Sequence, residues 1–150
     1  MSLYGAININ AQGLSVQRKR MQLVASNIAN ISTTRVPGED APYRRRELIV
    51  EAIPRSDFEA HLQREMGDEH DEEIMGVRAT AIQLDDSPMR MQYEPAHPHA
   101  DENGYVAYPN VNPAVEMVDM VGIQRSYEAN ISSIRASRSM IDQTIEMLRT

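Results

Sequence analysis

Two seven-residue series of mainly apolar residues, one at each end of the chain, constrain this sequence more than any other feature. Ile7, Leu14, Met21 and Ile28 recur without a break, with Leu3, Ala11, Arg18 and Ala25 at the intermediate positions. Met120, Tyr127, Ile134, Ile141 and Leu148 form the second series, interleaved with Gln124, Ile131, Arg138 and Ile145. An apolar recurrence every three and four residues is the seam of paired helices. The pattern predicts one helix from Leu3 to about Ser32 and another from about Ala114 to Leu148, roughly 40 and 50 Å long at about 1.5 Å per residue.

The flanking residues fit those bounds. Asn112 is a natural N-cap, Pro113 suits the first turn, and Glu116 can face the positive helix end. Asn30 is expected to close the first helix in the left-handed conformation, before a turn at Ser32-Thr33-Thr34. Gly5 and Gly13 each lower helicity by about 1 kcal/mol relative to Ala. Beside the second seam, Gly122, Ser126, Ala129, Ser133 and Ala136 form a row small enough for another helix backbone to approach. Arg18 and Arg138 stand at seam positions, where a polar side chain weakens packing but selects register; the plainer reading is a snorkelling side chain.

Residues 33–112 read differently. Pro37-Gly38 and Ala41-Pro42 break any helix. From Tyr43 to Ile53, Leu48, Val50 and Ala52 alternate with Arg45, Glu47, Ile49 and Glu51, the pattern of a half-buried strand, so the cluster Arg44-Arg45-Arg46 reads as its solvated face. Val77–Leu84 and Met89–Tyr93 are further strand candidates, and Asn103-Gly104 is a hairpin-type turn before Tyr105–Tyr108. The expected fold class is α+β. Long terminal helices (1–32 and 113–150) form a coiled coil, and a small β-rich middle region (33–112) carries an acidic insertion at 56–73.

Charge sharpens that division. The chain carries 22 acids against 15 Lys and Arg, a net charge of −7. Residues 56–73 alone hold eight acids and one base, Arg64, so the remainder, with 14 of each sign, is neutral. This segment reads as an exposed loop, with a short helix near Phe58–Met66. A neutral body gives no basic stripe for nucleic acid. One Phe, no Trp and ten Met predict a thin, loosely specified core whose packing is completed elsewhere. The absence of cysteine excludes disulfides, thiolate metal sites and cysteine nucleophiles. No apolar run approaches the roughly 18 residues needed to span a membrane. Met1–Asn10 lacks the pattern of a secretory signal, which by itself reads as cytoplasmic.

The candidate chemistry is sparse. His97, His99 and Asp101 alternate, so an extended backbone would align three metal ligands, but no fourth ligand is implied. Counting a calcium loop from Gly104 puts His99 and Asn110 where carboxylates belong. The only lysine, Lys19, is not in a phosphate-loop motif, and no Gly-x-Ser-x-Gly elbow exists. No catalytic, cofactor-binding or metal residues are expected.

Three stretches carry a family resemblance. Leu23-Val24-Ala25-Ser26-Asn27-Ile28-Ala29-Asn30-Ile31-Ser32-Thr33, with Tyr43-Arg44-Arg45 downstream, resembles the N-terminal motif shared by flagellar rod and hook-type axial proteins. His97–Asn112, containing Gly104-Tyr105-Val106-Ala107-Tyr108-Pro109-Asn110-Val111-Asn112, is similar to the segment typical of the FlgC-type proximal-rod family, and so are Glu116–Met120 and Arg125–Asn130. The acidic segment matches nothing in that pattern.

The resemblance implies a non-enzymatic structural subunit of the bacterial flagellar rod. Its helices would pair as an inner coiled coil, its middle region would face outward, and the rod would cross the periplasm as a drive shaft. It also implies export through the flagellar type III apparatus without a cleaved signal peptide. The implied partners are copies of the chain and other proximal and distal rod subunits, with no nucleic acid and no direct membrane insertion. The expected subunit contacts are Leu3, Ile7, Ala11, Leu14, Met21, Ala25, Asn27, Ile28, Asn30, Met120, Tyr127, Ile131, Ile134, Ile141, Ile145 and Leu148. Seams left open in a monomer would order when neighbours cover them. The alternatives are a cytoplasmic helical adaptor or export chaperone, which predicts a closed small oligomer, and a metal hydrolase using the histidines and acids.

Overall fold

A computed structural model of the chain describes residues 3–39, 41–53 and 76–148. Among the described residues, two long helices, α1 (Leu3–Ala29) and α2 (Pro113–Met147), bracket four strands: β1 (Arg46–Ile53), β2 (Gly76–Leu84), β3 (Arg90–Tyr93) and β4 (Tyr105–Tyr108). The fold is α+β, as the patterning predicts. The acidic stretch 56–73 and its expected short helix lie outside the described residues.

The strands form two separate two-stranded sheets, β1 with β2 and β3 with β4. In the second, antiparallel pair, Arg90 faces Tyr108, Met91 faces Ala107, Gln92 faces Val106 and Tyr93 faces Tyr105. The Asn103-Gly104 turn closes this hairpin, but within a loop over residues 94–104 and not as a two-residue turn. The loop is long because Asp101 organises it. Its Oδ1 accepts the N–H groups of Asn103 and Tyr105, and its carbonyl accepts that of Gly104. Gly104 sits at φ +80°, and a Cβ there would lie 2.9 Å from a Tyr93 ring carbon. Only glycine meets both conditions without strain.

Both helix ends are capped, one of them differently from expectation. Asn112 caps α2, with its Oδ1 accepting the Ala114 N–H at 3.0 Å. Asn30 does not adopt the left-handed conformation, since no described residue other than glycine has positive φ. Its side chain does the work: Nδ2 donates to the Ser26 carbonyl and Oδ1 accepts the Thr33 hydroxyl.

The molecule divides into two compact units, whose described parts fall within Met1–Arg18, Val50–Thr80 and Arg125–Thr150 for the first, and Lys19–Ile49 and Ala81–Gln124 for the second. In the first, α1 and α2 run antiparallel. Gly13 faces the Asn130 side chain closely enough that a Cβ would meet Nδ2 at 3.0 Å, and Asn10 Nδ2 reaches Ser133 Oγ at 3.0 Å. Gln12 Oε1 also accepts the Val77 N–H. The second unit buries Val24, Tyr43, Val106, Val111 and Ile123. Among the described residues the first buries only Val16 as a large apolar side chain. Among the described residues no methionine is fully buried: Met21, Met89 and Met120 are half-buried, and Met91, Met117, Met140 and Met147 are exposed.

Candidate functional site

The second unit is organised around a buried polar junction. Asn27, on the last turns of α1, is 1% exposed and spends all its polar capacity inside the chain. Its Oδ1 accepts the Tyr43 hydroxyl at 2.9 Å and the Arg46 N–H at 3.0 Å. Its Nδ2 donates to the Arg46 carbonyl and to Glu116 Oε2, both at 3.1 Å. Two donors and two acceptors are thereby satisfied, the full complement of a carboxamide.

Glu116, in the first turn of α2, is wholly buried. Its second oxygen accepts from Arg45 Nε at 2.5 Å. The same guanidinium meets Glu47, Asp85 at 3.6 Å and Asp119 at 3.5 Å. Burial alone would lower the Arg45 pKa. The hydrogen bond to Glu116 and the charges of Glu116, Asp85 and Asp119 outweigh it, and the pKa ends raised. Asp85 is held below the ordinary carboxylate value by hydrogen bonds from the Ser87 backbone and side chain, then by Arg45. Asn110 completes the junction. It accepts the Arg45 N–H at 2.9 Å and donates to the Asp85 carbonyl and Ser87 Oγ. One polar cluster therefore ties the end of α1, the start of β1, the end of β2 and the start of α2.

Such a cluster positions elements and performs no chemistry. Every group in it that could act as an acid, base or nucleophile is engaged with a protein partner. His97, His99 and Asp101 do not converge on a metal-binding arrangement either. The Asp101 carboxylate holds backbone amides, His97 Nδ1 accepts the His99 N–H, and His99 Nδ1 pairs with the Thr34 hydroxyl at 2.9 Å. Among the described residues no group of three His, Asp or Glu side chains could hold a metal ion.

The junction gives physical meaning to residues that the sequence showed only as a motif. Asn27, Tyr43, Arg45, Asn110 and Glu116 all lie in the stretches carrying the family resemblance. Reading Arg45 as part of a solvated strand face was wrong, because the face it occupies is closed by Glu116 and Asp119. Strand alternation cannot reveal that closure, since the covering acids lie more than 70 residues downstream.

The expected contact residues fall at different depths. Ile7, Leu14, Met21 and Ile28 are half-buried, whereas the deepest α1 positions are Val16, Val24 and Asn27. The inward stripe is thus turned to one side of the series read from sequence. Ala11 and Ala25 are exposed, and Asn30 is half-buried. Leu3 begins α1, but its side chain lies outside the described residues. On α2, Met120, Tyr127, Ile134 and Ile141 are half-buried. Their partners at the other seam position are buried Glu116, Ile123 and Ser137, together with half-buried Asn130. Three of those four are polar, so an apolar count favoured the adjacent series and left out Ile123 with them. In the series read from sequence, Ile131 is half-buried, while Gln124, Arg138 and Ile145 are exposed, as is Leu148.

Comparison with known proteins bears on the whole chain. Residues 7–35 match the family described as flagella basal body rod protein. Residues 102–147 match the C-terminal family described as flagellar basal body rod FlgEFG protein. The chain is 40% identical to the flagellar basal-body rod protein FlgC of Borreliella burgdorferi, with 99% of each chain covered. It is 39% identical to the FlgC protein of Bacillus subtilis, over 98% of this chain and 99% of that one. Against FlgC of Salmonella typhimurium the identity is 32%, with 98% of each covered.

Proposed function

The chain belongs to the FlgC family of flagellar basal-body rod proteins, and on that premise we propose how its two helices build the proximal rod. It is a structural rod subunit and not an enzyme; the adaptor and export-chaperone reading has no support. α1 and α2 pair as a coiled coil, and their outer faces pack against copies of the chain and other rod subunits in an open helical array. Contacts that repeat without closing generate such a tube. Residues 33–112 form the outward region, and torque crosses the rod through packed helix interfaces. The rod lies in the periplasm, and subunits arrive through the flagellar type III export apparatus without a cleaved signal.

One observation carries this reading: α2 keeps large apolar side chains on its outer face. Val118 is 72% exposed, and Val115, Met117, Val121, Met140 and Met147 are exposed as well. Isolated surface apolar residues need no explanation, but a succession along one helix marks an interaction surface. The half-buried residues Ile7, Leu14, Met21, Ile28, Ile131, Ile134 and Ile141 flank the inward stripe and extend the contact.

Val118→Asp tests the reading. It adds a charge at a residue that is largely open to solvent, so circular dichroism and thermal unfolding of the purified subunit are expected to stay unchanged. Incorporation into basal bodies and swimming are expected to be lost. Normal rods containing this variant would overturn the proposal.

A further inference from the structure

The turn that closes the β3–β4 hairpin holds a reactive pair, Asn103 and Gly104. Asn103 is the one asparagine of the chain followed by glycine; the others precede isoleucine, valine, alanine or proline. A carboxamide in that position is open to attack from its own chain, because no side chain shields the next amide nitrogen. Asn103 is exposed, so water reaches it. The glycine is not exchangeable. Its φ of +80° and the Tyr93 ring carbon 2.9 Å from where a Cβ would lie both exclude a larger residue. The hairpin therefore keeps the very residue that leaves Asn103 unshielded.

We infer that Asn103 is a site of deamidation through a cyclic imide, held unreactive while the hairpin is closed and released when it opens. Hydroxide takes the Gly104 amide proton, and the nitrogen attacks Asn103 Cγ. The new N–Cγ bond closes the imide and the Cγ–Nδ2 bond breaks. Nδ2 leaves as ammonia with a proton from water, which restores the hydroxide. A further water opens the imide at either carbonyl and gives aspartate or isoaspartate, with nothing oxidised or reduced. The inference concerns the single chain and does not depend on how copies meet.

The closed hairpin restrains each participant. The Gly104 N–H donates to the Asp101 carbonyl at 3.0 Å, which occupies the nucleophile. On one side of it the Asn103 N–H donates to Asp101 Oδ1 at 2.9 Å. On the other, the Gly104 carbonyl accepts the Glu94 N–H at 2.9 Å. Rotating the Asn103 backbone to bring the nitrogen onto Cγ breaks these bonds. Reaction then requires local opening, and its free energy sets the fraction of reactive chains.

Opening leaves a permanent trace. Either product adds a carboxylate beside Glu102, and isoaspartate also inserts a methylene into the main chain. Asp101 Oδ1 holds the Tyr105 N–H at 2.8 Å, Tyr105 pairs with Tyr93, and Val106 beyond it is wholly buried. A lengthened turn cannot keep both the Asp101 bonds and that register.

The test incubates the full chain in mildly alkaline buffer, folded and in urea, and follows Asn103 by peptide mass spectrometry. Modification is expected to be at least about tenfold faster in urea, the factor that about 1.4 kcal/mol of opening free energy produces. Hydrogen exchange at the Gly104 amide, read by NMR in the folded chain, is expected to be slowed to match. Asp101→Ala is expected to raise both folded-state rates by a common factor. Asn103→Gln, whose longer side chain closes a ring poorly, is expected to abolish modification at this position with circular dichroism unchanged. Equal rates in folded and unfolded chains would sink the inference. An Asn103 that stays intact in urea would do the same, as would a folded-state rate that does not follow Gly104 exchange.

Discussion

At the residue scale the decisive group is Asn27. It satisfies Tyr43, the Arg46 backbone and Glu116 at once, and no other side chain of its size presents two donors and two acceptors in that fork. Asn27→Ala is expected to cost about 2–4 kcal/mol in urea unfolding, because it strands several buried polar groups in one step. Arg45 and Glu116 act as a pair. Arg45→Met and Glu116→Leu are each expected to cost about 3 kcal/mol or more by leaving a charge without its partner. The double variant is expected to cost clearly less than the two together, since neither charge then remains; a double-mutant cycle reads the difference.

Asp85 makes the junction acid-sensitive. Its folded pKa is depressed, so its contribution is present above the unfolded value of about 3.9 and disappears as pH falls through the lower folded value. Stability measured across that acid range is expected to fall less steeply in Asp85→Asn than in the parent chain.

At the scale of elements, local chemistry wrote most of the fold legibly into the sequence. The seven-residue series, the Asn112-Pro113 start and the strand alternations located both helices and all four strands, because each is governed by neighbours within a few residues. Gly104 is of the same kind. Gly104→Ala is expected to lower stability by about 1–2 kcal/mol from the left-handed backbone alone, with the contact to Tyr93 adding to it. The inner stripe of α2 was only half legible. Its half-buried positions Met120, Tyr127, Ile134 and Ile141 were found, but buried Ile123 and Ser137 were not, and Glu116 and Asn130 meet Asn27, Arg45 and Gly13 in contacts that no local pattern announces. The rotated stripe on α1 has the same origin: burial of Asn27 follows from Tyr43, Arg46 and Glu116, not from periodicity. The junction was visible only as motif residues, without the geometry that joins them.

At the scale of the whole molecule, the described residues bury few large apolar side chains, while α2 exposes several. Among the described residues, Val24, Tyr43, Val106, Val111 and Ile123 are the buried large apolar side chains of one unit and Val16 that of the other. Burying a Val or Met side chain is worth about 1.5–3 kcal/mol. The exposed positions on α2 therefore hold a substantial free energy that is realised only when another surface covers them. On the proposed assembly, the same faces would join one subunit to the next, while the junction fixes the end of α1 and the start of α2 to the neighbouring β strands.

The most direct test is a cryo-electron microscopy map of the native basal body with side chains resolved in the proximal rod. The account requires Val118, Val121, Met140 and Met147 of each copy to be buried against helices of neighbouring subunits. A map in which these side chains face solvent, with copies joined through other surfaces, would contradict it.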